Sequence, residues 1–195
     1  MWGTSGRLTN EDANQGSIGN CFFIAAAAAI AEKPERIQKV FLNQSNDLND
    51  AGIYGVNFYT LGVPHTVIVD DYLPLQDYWG VGDYTTYFSS IGKDKAMWMP
   101  ILEKAFSKLN GNYQHTIGGD MSMAAEQILG GMSRSISHRM GEGGLSESEK
   151  KDLWEQMLAH NGKDGMMWTG TPGSSDSNAN AEDLYNSHAY VVQHV

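Results

Sequence analysis

Cysteine is nearly absent from this sequence: Cys21 is the one thiol in 195 residues. A lone thiol closes no internal disulfide and builds no cysteine-rich metal site, and it fits a reducing intracellular compartment. Basic residues are also scarce, 13 Lys and Arg against 23 Asp and Glu, for a formal charge of −10. They are scattered, so a phosphate backbone finds no electrostatic footprint and nucleic acid is not an expected partner. The longest apolar run, Cys21 to Ala31, has 11 residues, against the roughly 20 needed to cross a bilayer. No transmembrane segment is expected. Met1 to Asn10 lacks the apolar centre of a secretory signal. The histidines at 65, 115, 138, 160 and 194 show no paired metal-ligand spacing and read as surface or loop residues. No phosphate-binding loop or calcium-binding helix-loop-helix motif is present.

What remains is the composition of a globular protein, 41% hydrophobic and long enough to bury a core as one domain or two small ones. A polar loop, DANQGSIGN, runs into CFFIAAAAAIAE, an Ala-rich strong helix former with Asn20 placed as its N-cap. Pro34 ends that helix or begins the next, PERIQKVFL. IYGVNFYTLG and HTVIVDDYLPL alternate as paired strands. Trp98, Ile101, Leu102, Ala105, Phe106 and Leu109 recur at the spacing of an amphipathic helix stopped by Asn110–Gly111. Further helices are expected across SMAAEQILGG and SESEKKDLWEQMLAHNG, and short strands in DGMMWTGT and SHAYVVQHV. The fold class is therefore α+β. A helix-rich lobe over 1–138 would be followed by the start of a β-rich lobe over 139–195. The Met residues at 97, 99, 121, 123, 166 and 167 read as adaptable core filling. Asp70 and Asp71 are adjacent on a strand and point to opposite faces, which favours a structural role over a shared ion.

A catalytic thiol must ionise near neutral pH, which requires its usual pKa of about 8.5 to be depressed by a helix N-terminus, an imidazolium or both. Cys21 sits in the first turn of its helix, where unpaired amides favour an anion. Gln15, six residues upstream, carries an amide donor that with the Cys21 backbone N–H would form an oxyanion hole. Against this, a lone cysteine in an Ala-rich helix is ordinarily a small buried hydrophobe.

The surrounding motifs decide between these readings. QGSIGNCFFIAAAAAIAE resembles the active-site segment of calpains, Q-G-x-x-G-D-C-W-x-x-A-A-x-A. GIYGVNFYTLG with VIVDDYLPL resembles that family's paired strands, and MWMPILEKAFSKLNGNY its W-x-x-L-L-E-K-A-Y-A-K-L-N-G-x-Y helix. IGGDMS, ILGG and SHAYVV follow in the family's order, the last similar to G-H-A-Y-S-V around the catalytic histidine.

The resemblance implies a papain-like two-lobed cysteine endopeptidase that hydrolyses protein substrates through an acyl-enzyme. Cys21 would be the nucleophile, His188 the base and Gln15 an oxyanion donor, with Gly131 and Ser187 giving main-chain hydrogen bonds to substrate. No cofactor is required for this chemistry. Calcium is a regulator in the family, and Asp12 matches one carboxylate of its first-lobe site, while the partner carboxylate falls on Ala96 with Asp94 nearby. Asn20 and Phe22 stand where the family has Asp and Trp, and the family's N-P-W-G-like segment, which supplies the Asn that orients the histidine, has no counterpart up to Val195. The expectation is a catalytic core belonging to a longer multidomain chain or larger assembly. The alternative is a calpain-like module kept for a structural or scaffolding role.

Overall fold

The computed structural model describes all residues except 78, 137–143, 162 and 176. Its helices are α1 (Cys21–Ala31), α2 (Pro34–Val40), α3 (Trp98–Leu109), α4 (Met121–Leu129) and α5 (Glu147–His160). Its strands are β1 (Ile53–Thr60), β2 (Val63–Asp70), β3 (Leu75–Asp77), β4 (Tyr84–Thr86), β5 (Trp168–Gly170) and β6 (Ala189–Val191). They form three antiparallel two-stranded sheets, β1–β2, β3–β4 and β5–β6. The fold is α+β. The proposed lobe boundary at 138/139, and His138 with it, lies outside the described residues.

α1 is the centre of the molecule. From Phe22 to Ala31 every residue is buried, as expected for a helix apolar on all sides, and only Cys21 at its start is half exposed. Its Ala run lets other backbones approach, and α2, α3, α4 and the β5–β6 pair all pack against it. α3 lays its apolar stripe on the same core: Phe106 stacks on Phe23 with ring centroids 4.0 Å apart and meets Phe58 of β1 at 6.1 Å. β1 and β2 are joined through Leu61 and Gly62, both at positive φ (52° and 77°), as a tight hairpin turn requires. Val67 and Val69 point inward while Ile68 faces out, the alternation read from the sequence.

α2 begins with Pro34 at its first turn, so the proline opens this helix rather than closing α1. α4 ends on Gly130 at φ 73°, a left-handed C-cap. α5 buries no residue. It is held by a capping box, in which Ser146 N–H donates to Glu149 Oε2 at 2.8 Å, and by the Lys150–Glu147 ion pair. Asn20 occupies the N-cap position of α1 but makes no cap hydrogen bond, contrary to expectation, because its side chain has a long-range partner. Of the methionines expected in the core, Met99 is fully buried and Met97, Met121 and Met166 pack partly buried against the core, whereas Met123 is exposed and Met167 lines a groove. Asp70 has the expected structural use: its carboxylate receives the Lys104 ammonium, which also donates to Tyr72 O. His65, His115, His160 and His194 are exposed.

Candidate active site

The loop that delivers Cys21 is fastened on two sides. Ser17 N–H donates to Tyr87 O at 2.9 Å and Ser90 N–H to Asn14 O at 3.0 Å, so residues 14–17 run against residues 87–90. Gly16 is required there, because a Cβ on it would lie 1.9 Å from the Phe88 carbonyl oxygen. Phe88 is itself stacked on Tyr113, centroids 3.6 Å apart. On the other side Gly118 N–H donates to Gly19 O at 2.8 Å, and Gly119 backs onto the Phe22 ring. Cys21 therefore emerges half exposed from a tightly held turn, with Asn20 and Phe22 buried on either side.

Gln15 directs one amide N–H to Ile18 O at 2.7 Å, and the same carbonyl accepts from Asn20 N at 2.9 Å. The second Gln15 amide hydrogen is uncommitted among the described residues, as an oxyanion donor requires. Gln15 is thus tied into the turn that precedes Cys21.

His188 leads into β6, which packs on α1, the helix headed by Cys21. Thr171 anchors its backbone: His188 N–H donates to Thr171 Oγ1 at 3.0 Å and Thr171 N–H donates to His188 O at 3.0 Å. Thr171 Oγ1 also donates to Tyr185 O at 2.5 Å. The imidazole stands edge-on to Tyr190 and Tyr185, with centroids at 5.2 and 6.4 Å. Its Nδ1 is buried with no hydrogen-bond partner among the described residues, and no hydrogen bond joins the ring to Cys21. Ser187 has φ 51° and spends its N–H on Pro172 O at 3.1 Å. Gly131 follows α4 in open space, where a Cβ would touch nothing within 4 Å. It lines a groove of about 550 Å³ between α4, α5 and β5, whose walls include Met132, Met157, Met166 and Trp168. Neither Cys21 nor His188 lines that groove.

The ordered segments match a known protein family. A model of the family described as calpain family cysteine protease matches residues 4–195. The chain belongs to that family. The calpain-type cysteine protease DEK1 of Zea mays is 31% identical over 191 residues, which is 98% of this chain and 8% of that protein. Calpain-5 of Mus musculus is 30% identical, covering 96% of this chain and 30% of its own length. The calpain-2 catalytic subunit of Homo sapiens is 36% identical over 129 residues, 66% of this chain and 18% of that protein. This calpain-family chain therefore spans less than a third of the length of these relatives.

The family's calcium regulation raises the question of what Asp12 does in this calpain-family chain. Asp12 is buried, and its Oδ2 accepts from Thr9 N at 3.1 Å, Thr9 Oγ1 at 3.2 Å and the Trp98 indole N–H at 3.2 Å. Asp94 is likewise used, accepting from Ser5 Oγ at 2.7 Å, which with burial opposing it holds its carboxyl below the usual range. Ala96 offers no ligand. Among the described residues no three His, Cys, Asp or Glu gather where a metal would need them. Asp12 Oδ2 is committed to these hydrogen bonds, and no chemical step is routed through calcium.

The sequence reading missed the residue that connects these parts. Glu103 of α3 is buried, with Oε1 accepting from Asn20 Nδ2 at 2.6 Å and Oε2 from Ser89 N and Oγ at 2.8 and 2.7 Å. Burial pushes its carboxyl pKa up against the opposing pull of these hydrogen bonds. A signal was present: Glu103 interrupts the apolar face of α3, four residues after Met99 and three before Phe106.

Proposed function

We propose that this chain carries the catalytic centre of an intracellular, two-lobed, papain-like calpain-type endopeptidase. Cys21 Sγ attacks the carbonyl carbon of an extended protein substrate as its proton passes to His188. The developing oxyanion accepts from Cys21 N–H and Gln15 Nε2. The C–N bond then breaks, His188 returns the proton to the leaving amine, and water repeats the cycle in reverse to release the acid and the free thiol. The observation that carries this reading is the pairing of one helix with one strand: the thiol heads α1, and the strand led by His188 packs on that helix.

The buried, unpartnered Nδ1 of His188 supports the same reading, because it leaves the imidazole a ring nitrogen free to take the thiol proton. The family's Asn, on a strand after the histidine, would orient the imidazole through its other ring nitrogen. Protein substrates, further domains and calcium control belong to this proposal through the family resemblance, with calcium drawing least support from Asp12.

A second reading, a non-catalytic calpain-like scaffold, draws on the absent Cys21–His188 hydrogen bond and on Asn20 replacing the family's Asp. One experiment separates the two. The full-length protein, with and without calcium, is treated with an epoxysuccinyl thiol-protease probe and mapped by mass spectrometry. Labelling at Cys21 that disappears in Cys21→Ala, together with loss of peptide cleavage, supports the peptidase. A folded protein that resists the probe in both conditions supports the scaffold.

A further inference from the structure

The buried contacts of Glu103 reach both sides of the nucleophile turn. Through Asn20 they hold the residue directly before the thiol. Through Ser89 they hold the strip 87–90, along which residues 14–17, including Gln15, are zipped. One carboxylate thus fixes the placement of the two groups whose spacing defines an oxyanion hole, Cys21 N–H and the Gln15 amide. We propose that Glu103 is a positioning residue for Cys21 and Gln15, acting through Asn20 and Ser89; this rests on the peptidase reading above.

The hydrogen-bond geometry makes the role separable from charge. Asn20 Oδ1 is buried without a partner, so a half-turn of the amide would present Oδ1 to residue 103 and move Nδ2 to its place. A Gln at 103 then keeps both links: its amide nitrogen donates to Asn20 Oδ1 and its oxygen still accepts both Ser89 donors, at the cost of an unpaired Asn20 Nδ2. An Ala at 103 leaves Asn20 and the Ser89 N–H unpaired and cuts the link between the two walls. The lock therefore demands a two-headed polar side chain and tolerates neutrality.

The test uses the full-length protein with Glu103→Ala, Glu103→Gln, Asn20→Ala and a Cys21→Ala control, read by peptide hydrolysis, by iodoacetamide alkylation of Cys21 against pH, and by thermal melting. Glu103→Ala is expected to lower kcat about tenfold or more with KM and the alkylation rate within about threefold, since an oxyanion donor acts on the transition state and not on thiol access. Glu103→Gln is expected to restore kcat to within about threefold of the parent. If Glu103→Ala does not fold, Asn20→Ala, which keeps both Ser89 bonds, carries the test with an expected kcat loss of about fivefold. Unchanged kcat in whichever truncation folds, or a Gln variant as slow as the Ala variant, overturns the proposal. A parent without Cys21-dependent hydrolysis instead defeats the peptidase reading. The alkylation profiles control for thiol access: rates within about threefold of the parent in every variant that keeps Cys21 place the kcat loss at the oxyanion site, and an alkylation rate that falls as far as kcat in Glu103→Ala or Asn20→Ala overturns the proposal.

Discussion

Gly16 and the Phe88 carbonyl oxygen are so close that a methyl group on Gly16 would sit 1.9 Å from that oxygen. The obstacle is backbone held by hydrogen bonds on both sides, Ser17 to Tyr87 and Ser90 to Asn14, and by the stacking of Phe88 on Tyr113. It cannot step aside as a flexible side chain would. Gly16→Ala is expected to cost about 3 kcal/mol, with a lower melting temperature and a Cys21 labelling rate reduced more than in proportion to the unfolded fraction. Loss of stability with an unaltered labelling rate would show that residues 14–17 do not set the thiol's placement.

The elements that the sequence made legible are those with enough length to display a period. α3 and the β1–β2 pair repeat their pattern over 8 to 12 residues, and α1 is legible from an Ala-rich run of 11. Cys21 at a helix start was readable for the same reason. What could not be read were contacts whose partners are far apart in sequence: Asn20 had the composition and place of an N-cap, yet it turns to Glu103, 83 residues away. Local propensity ranks the cap first, and a buried carboxylate in need of donors outcompetes it. The three-residue strands β3 and β4 are too short for any alternation, and what fixes them is a loop in which Asp77 accepts from the N–H groups of Trp79, Val81 and Gly82.

Thr171 is a sensitive probe of the histidine. Its Oγ1 accepts His188 N–H and donates to Tyr185 O, tying the two ends of the 185–188 turn together. Thr171→Val keeps the shape, deletes the hydroxyl and strands a half-buried N–H, at an expected cost of about 1–2 kcal/mol. Peptide hydrolysis is expected to fall about tenfold while iodoacetamide alkylation of Cys21 stays near the parent rate. Equal loss in both assays would mean that the substitution disturbs the thiol and not the base.

Asp12 is expected to act on stability without calcium. Removing its carboxyl in Asp12→Ala leaves the buried Trp98 indole and the Thr9 N–H unpaired, which should cost about 2–3 kcal/mol. The loss in melting temperature should be the same in chelator and in millimolar calcium. A variant destabilised only in calcium would identify Asp12 as a calcium ligand whose hydrogen bonds rearrange on binding.

Glu103 gives the pH dependence a definite sign. Burial raises its carboxyl pKa above the unfolded value, so folding favours the protonated form. Its favourable contribution is complete below the unfolded-state value and is lost as pH rises through the folded-state value. The ionised group is therefore a net burden relative to a neutral side chain with the same hydrogen bonds. Glu103→Gln should melt a few degrees higher than the parent at pH 7, and the difference should shrink steadily as pH falls toward 4. Melting curves of the two proteins across that range check the sign directly. A Gln variant that is less stable at pH 7, with the gap closing in acid, would mean that the hydrogen bonds from Asn20 and Ser89 outweigh desolvation and that Glu103 is held as a stable buried anion.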